Sequence, residues 1–338
     1  MTCAVVAGIG GYVPPGVVTN EDLTKRFDTS DTWIRTRTGI ATRHVVDPGA
    51  ATSDLAVEAG RRALECAGAT TADAVVLATS TPDHLCPATA PAVAARLSLG
   101  SVPAFDVGAV CSGFVYGLAT AAGLITAGTA ETVLLVAADA FTTMVDPRDR
   151  STSVIFADGA GAVLLRAGDS QEAGAVGPVV LGSDGAGKEV LEVPAGGSRQ
   201  RSSGVPPEPG DEYLKMRGRE AYRHAVERMT TASRQALARV GWTPDDVHKL
   251  AAHQANARII GTVAEELGIG QTQRLTNIEQ VGNTVGASIP LLLAQAASEG
   301  RLVSGERVLL TTFGAGLAWG ATTLTWPSLG EVPAPSAA

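Results

Sequence analysis

The chain has 338 residues, 45% hydrophobic, 18% charged and 4% aromatic, and its 26 Lys and Arg against 34 Asp and Glu leave a net charge of −8. That length suits about two domain-sized units, and the acidic balance excludes a nucleic-acid-binding surface, which needs a basic excess. Apolar runs such as Val133–Ala138 and Leu291–Ala297 are far short of a membrane span, and Met1–Gly10 lacks the cationic start of a signal peptide. Cys3, Cys66, Cys86 and Cys111 have neither the number nor the spacing of a disulfide or metal framework. The expectation is a cytoplasmic chain with reduced thiols that engages neither nucleic acid nor membrane.

Short apolar runs alternate with Ala-rich amphipathic stretches, which is the α/β pattern. GIGG at Gly8–Gly11 reads as a turn, because Pro14-Pro15 forbid a following helix and the third spaced glycine of a dinucleotide fingerprint is missing. The patterning then predicts a helix over Asp54–Ala67, a strand over Val75–Thr79, a helix over Ala88–Leu97 and a strand over Val102–Val107. A helix over Gly113–Ala127 and strands over Val133–Ala137 and Val154–Leu165 follow, with DGAGA (Asp158–Ala162) marking tight strand packing. Gly168–Arg217 is rich in Gly, Pro, Ser and charge and reads as surface loops with at most two strands. Inside it, GSDGAGK (Gly182–Lys188) has phosphate-loop spacing, but Glu189 stands where a hydroxyl should hold Mg²⁺, so no nucleotide site is expected. Helices over Glu220–Val240, Ala257–Leu267 and Ile289–Glu299 and strands over Lys249–His253 and Arg307–Thr312 complete the pattern, with TTFGAGLAWGA (Thr311–Ala321) as a strand, a glycine turn and a returning strand.

The elements repeat. A shift of 173 residues lays Ala63-Leu64, Gly68, Asp73 and Leu77-Ala78 on Ala236-Leu237, Gly241, Asp246 and Leu250-Ala251, and a shift of 175 lays Val133-Leu134-Leu135 on Val308-Leu309-Leu310. Two similar halves follow, residues 1–166 and 167–338; generic α/β periodicity is the competing explanation. Under the first shift Cys111 falls one residue from Asn283, and Ser80 falls on His253. Polar residues at equivalent strand ends would then meet at a pseudo-twofold axis, where α/β sheets place their ligand crevices.

Cys111, in FDVGAVCSGFVYGLATAAGLI (Phe105–Ile125), sits where a buried strand passes into an apolar helix. Helix N-terminal N–H groups there would stabilise a thiolate and hold an oxyanion, although a buried structural cysteine fits the same position. His253 ends the strand KLAAH before QANARII, and either catalysis or a structural hydrogen bond would place it there. Asn283, between Gly282 and a helix, is an ordinary cap or an amide donor to an oxyanion or enolate.

SDTWIRTRTGI (Ser30–Ile40), the Cys111 segment, DPRDRSTSVIFADGAGAV (Asp146–Val163), HQANARII, GNT and FGAGLAWG, in that order and spacing, resemble the β-ketoacyl-ACP synthase III family. These are condensing enzymes of the thiolase superfamily that start fatty acid or polyketide chains. The resemblance implies a five-layered αβαβα fold of two duplicated halves, the first carrying the nucleophile and the second His and Asn, assembled as a homodimer. It implies that Cys111 takes an acyl group from acyl-CoA, with the oxyanion held by the N–H groups of Cys111 and of Ala315, which replaces the family's glycine. Malonyl-ACP then loses CO2, and His253 and Asn283 stabilise the enolate that attacks the acyl-cysteine; acyl-CoA is a substrate, and no metal or other cofactor is implied. Around CoA, the family pattern points to Trp33 and Arg150 at the adenine, Arg37 and Thr38 at the phosphates and Asn256 along the pantetheine.

Two departures from the pattern carry further expectations. Cys86 stands where many relatives have a bulky Phe that closes the partner's acyl pocket, which implies a primer larger than acetyl. For carrier docking the resemblance offers Lys215, Arg219, Arg223 and Arg258, but Glu265-Glu266 stand where some members have lysines. Charges of that sign oppose an acidic carrier. The alternative is an acyltransferase of specialised metabolism that passes the acyl group from Cys111 to an alcohol, amine or other carrier without decarboxylation. A non-catalytic partner subunit is disfavoured, since it would lack Cys111.

Overall fold

The computed structural model describes residues 2–336. Its largest sheet has five strands in the order Thr2–Tyr12, Gly159–Asp169, Thr132–Asp139, Ala74–Ala78 and Ala104–Val107. Neighbours among the first three are antiparallel and neighbours among the last three parallel. A second sheet has the order Lys249–Ala252, Arg307–Gly314, Ala318–Thr325 and Val180–Ser183, with its first pair parallel. Ala74–Ala78 is buried along its whole length, as expected of a parallel strand covered on both faces.

Five layers result. The helices Gly113–Thr126 and Ser288–Ser298 lie between the sheets, sharing one apolar core with side chains of both. Thr52–Cys66 covers the outer face of the first sheet, and Gly218–Val240 with Ala257–Leu267 covers that of the second. Among the described residues no helix is long and apolar enough to cross a membrane.

One offset of 175 residues relates the central elements of the two sheets. It maps Thr132–Asp139 on Arg307–Gly314, the turn Val110–Ser112 on Val285–Ala287, and the first residue of the helix Gly113–Thr126 on that of Ser288–Ser298. It also conserves strand register, since Val75 pairs with Leu134 and Leu250 with Leu309. Under this offset Cys111 is equivalent to Gly286, and Ala78 to His253, so the matches of Cys111 near Asn283 and Ser80 with His253 are not structural equivalences. The 166/167 division falls inside the strand Gly159–Asp169, which stays in the first sheet to its end.

Three local expectations change. Gly8–Gly11 is not a turn but part of the bulged edge strand Thr2–Tyr12. A Cβ on Gly10 would lie 2.4 Å from Ala59 O and 2.5 Å from Ala63 N, so the glycines let the helix Thr52–Cys66 rest directly on the strand. The strand expected from Val154 begins at Gly159, because Asp149 caps a helical turn over Arg150–Ser153. The segment 168–217 holds three strands rather than two: Val180–Ser183 pairs with Ala318–Ala321, and Leu191–Glu192 pairs with Lys215–Met216. These short strands take their order from partners distant in sequence, which local patterning cannot show.

Candidate active site

Cys111, His253 and Asn283 arrive from three loops and line one cavity of about 160 Å³. Its wall is mostly apolar, with Ile155, Phe156, Met216, Met229, Ile259 and Phe313 among the lining residues.

Cys111 sits in the turn Val110–Ser112 at the start of the helix Gly113–Thr126. Val110, at φ 45°, takes a left-handed conformation that a β-branched residue adopts only under constraint. The constraint comes from the second sheet: Thr312 Oγ1 donates to Cys111 O at 2.8 Å, and Ser112 Oγ donates to Ala318 O at 2.9 Å. Gly314 packs so closely that a Cβ there would lie 2.9 Å from the Cys111 nitrogen and Cβ. Burial pushes the Cys111 thiol up to about 12, and the Asp139 carboxylate adds to the rise. The expected depressed thiolate is therefore not the resting state; desolvation outweighs the helix terminus.

His253 follows the strand Lys249–Ala252, and its N–H donates to Thr311 O at 2.9 Å. The ring is buried, which pushes its pKa down to about 3 and keeps it neutral. Its Nδ1 lies 2.6 Å from Ser288 Oγ. Asn283 bridges to the segment before Gly159: its N–H donates to Ile155 O at 3.0 Å and its carbonyl accepts from Ala157 N–H at 2.9 Å. Asn283 Oδ1 accepts from Val285 N–H at 3.0 Å, so the side-chain NH2 is the group left to donate to the cavity. The site can therefore present a thiol, a neutral imidazole and an oriented amide to one reacting centre.

Two residues of this region lie outside the sequence expectation. Asp139 is buried at the end of a central strand, where its carboxylate accepts from Ser80 N–H at 2.7 Å and Gly286 N–H at 3.0 Å. Burial pushes it up to about 7 against those hydrogen bonds. Ser288 opens the helix Ser288–Ser298 beneath His253. An acid ending the apolar run VLLVAAD was a legible signal for Asp139, whereas nothing local marks Ser288.

The residues expected around CoA divide into surface and wall. Trp33 is 37% exposed, with the Arg150 guanidinium 5.0 Å and the Arg37 guanidinium 6.0 Å from its ring centroid. Asn256 lines the cavity, caps the helix Ala257–Leu267 through Arg258 N–H, and donates to Arg37 O at 2.9 Å, linking the cavity to the Trp33 cluster. Thr38 does not fit its expected phosphate role: it is buried, its hydroxyl donates to Ile34 O and accepts from Ile40 N–H. Ala315, expected in the oxyanion hole, does not line the cavity, whereas its neighbour Gly314 does.

Cys86 is exposed and does not line this chain's own cavity. Arg219, Arg223 and Arg258 are exposed beside the lining residues Gly218, Tyr222 and Ile259, and Lys215 is exposed next to Met216. Glu265 and Glu266 occupy the far end of the helix Ala257–Leu267, about 10 Å along its axis from Arg258.

The chain is similar in sequence and fold to known proteins. Residues 105–185 match the family model described as 3-oxoacyl-[acyl-carrier-protein (ACP)] synthase III, and residues 237–326 match its C-terminal companion. The chain is 53% identical over 325 residues to β-ketoacyl-[acyl-carrier-protein] synthase III 5 of Streptomyces coelicolor, covering 96% of this chain and 98% of that protein. The crystal structure of 3-oxoacyl-(acyl carrier protein) synthase III from Pseudomonas aeruginosa superposes with a TM-score of 0.91 at 47% identity, covering 97% of this chain and 99% of that one. The priming β-ketosynthase of the R1128 polyketide pathway superposes with a TM-score of 0.89 at 34% identity, covering 98% and 97%. With 53% identity over nearly the whole length, both family models and the thiolase-like layers in agreement, the chain belongs to the β-ketoacyl-ACP synthase III family of condensing acyltransferases.

Proposed function

We propose that the chain moves an acyl group from acyl-CoA to Cys111 and condenses it, with loss of CO2, with a malonyl unit carried by an acidic acyl carrier protein. The observation that carries this reading is the convergence of Cys111, a neutral His253 and an oriented Asn283 amide on one apolar cavity. In the first half-reaction the Cys111 sulfur attacks the thioester carbonyl, its proton leaves with the CoA sulfur, and acyl-Cys111 and CoA-SH result. The Cys111 N–H and the N–H of Ala315, in the turn after Gly314, are proposed to hold the tetrahedral oxyanion. In the second, the malonyl carboxylate leaves as CO2, the thioester enolate attacks acyl-Cys111, and the released sulfur takes up a proton. His253 and Asn283 donate to the enolate oxygen; one such donor is worth about 3 kcal/mol in the transition state.

The Trp33, Arg37 and Arg150 cluster suits a phosphorylated purine, since indole stacks on the base and guanidinium pairs with phosphate. Arg219, Arg223, Arg258 and Lys215 would receive the carrier, with Glu265 and Glu266 about 10 Å further along the helix from Arg258. Transfer to another acceptor without decarboxylation is the outcome that would replace this reading.

Intact-protein mass spectrometry tests the proposal. Incubation with a panel of acyl-CoA thioesters should add acyl mass to the wild type and none to Cys111→Ala. Chase with malonyl-ACP should discharge that mass as β-ketoacyl-ACP. His253→Ala should acylate yet release CO2 at least 10²-fold more slowly; normal CO2 release from that variant would overturn the enolate-stabilising role of His253.

A further inference from the structure

His253 reaches the cavity through one ring nitrogen while the other is held 2.6 Å from Ser288 Oγ, a contact enclosed on every side by protein. A neutral imidazole carries one proton, and the hydrogen bond at one nitrogen decides which nitrogen has it. The network around Ser288 settles that choice. Gln254 N–H can only donate, and it points at Ser288 Oγ from 3.3 Å. Gln254 cannot swing away: its side chain is buried, donates to Ala252 O at 2.8 Å and accepts from Thr276 Oγ1 and Asn277 N–H. With that acceptance made, the single Ser288 hydroxyl proton has, among the described residues, one acceptor within reach, His253 Nδ1. Were Nδ1 protonated instead, the serine hydroxyl would accept twice and leave its own proton buried without a partner.

We infer that Ser288 is a positioning residue that donates to His253 Nδ1 and so holds the imidazole as the Nε2–H tautomer, with a hydrogen-bond donor facing the cavity. The helix Ser288–Ser298 reinforces this, since its N-terminal end carries partial positive charge and disfavours imidazolium beside it. The consequence is a division of labour. In this tautomer His253 donates to a developing enolate oxygen and cannot accept the Cys111 proton, so acylation proceeds without it.

The inference rests on the proposed condensing reaction only for its kinetic effect; the tautomer itself is read independently of activity. In wild-type protein labelled with ¹⁵N-histidine, long-range proton–nitrogen correlation identifies the His253 ring as the signal missing from His253→Ala. A protonated Nε2 and a bare Nδ1 near neutral pH are expected; a protonated Nδ1 overturns the inference even if condensation is intact. Ser288→Ala should leave Cys111 acylation within about twofold while slowing CO2 release from malonyl-ACP about tenfold to hundredfold, with Ser288→Thr restoring most of it. Equal losses in both half-reactions, or normal decarboxylation in Ser288→Ala, would contradict it.

Discussion

At Cys111 opposing effects can be ranked. The start of the helix Gly113–Thr126 favours a thiolate by at most about 2 kcal/mol, or about 1.5 pKa units. Enclosure can shift a group by several units, and at Cys111 it is joined by the Asp139 carboxylate. The free enzyme therefore holds a thiol, and alkylation of Cys111 by iodoacetamide should keep accelerating through pH 9 rather than level off near 7. Asp139→Asn removes the opposing charge and should speed labelling at pH 8 severalfold, as followed by mass spectrometry. His253 titrates in the other direction. Its folded pKa of about 3 lies below the unfolded value of about 6.5, so between those limits only the unfolded chain binds the proton. Stability is full above pH 6.5 and falls by up to about 1.4 kcal/mol per pH unit as pH drops towards 3. Denaturant titrations of His253→Gln should show a shallower acid limb than the wild type; parallel limbs would mean that the ring is not enclosed as described.

Among the elements, the turns Val110–Ser112 and Val285–Ala287 do the same work in both halves. Each begins with a valine at positive φ, 45° at Val110 and 52° at Val285, and each delivers the chain to a central helix. Such conformations cost on the order of 1–3 kcal/mol each and persist only where surrounding contacts over-determine them. Asp139 joins the two regions by accepting from Gly286 N–H, and Thr312 and Ala318 hold the Cys111 turn from the second sheet. The outer layer depends on close approach instead. Gly10→Ala would drive a methyl into the backbone of the helix Thr52–Cys66, and a loss of about 2–3 kcal/mol is expected, visible as a thermal midpoint lowered by several degrees with the Cys111 labelling rate little changed.

For the whole molecule, the reactive groups meet from distant parts of the sequence: Cys111 follows a strand of the first sheet, His253 follows a strand of the second, and Asn283 is held by Ile155 and Ala157 just before the strand Gly159–Asp169. The homodimer that the family resemblance implies would add a residue from outside. Leu85 is 75% exposed, and Cys86 beside it is exposed and does not line this chain's own cavity, so in such a dimer this loop would be free to reach the partner's acyl pocket. Cys86→Phe should then shift primer preference towards acetyl-CoA in competition assays between acetyl and longer or branched thioesters, with dimer mass in sedimentation unchanged. Unaltered selectivity would remove Cys86 from the pocket.

Alternating apolar runs were enough, by themselves, to determine the α/β class and most strand and helix cores, and they put Cys111, His253 and Asn283 at element ends as candidates that the family resemblance then singled out as one set. Those features are local: side-chain periodicity and a residue's place at a strand end can be read without knowing its neighbours. Tertiary structure alone decided the rest. The 175-residue equivalence needed strand register, Gly8–Gly11 needed the helix that rests on it, and Thr38 needed the carbonyl and N–H that consume its hydroxyl. The protonation of Cys111 and His253 needed their enclosure, because a pKa measures the solvent and charges around a group, and folding brings those from the other half of the chain.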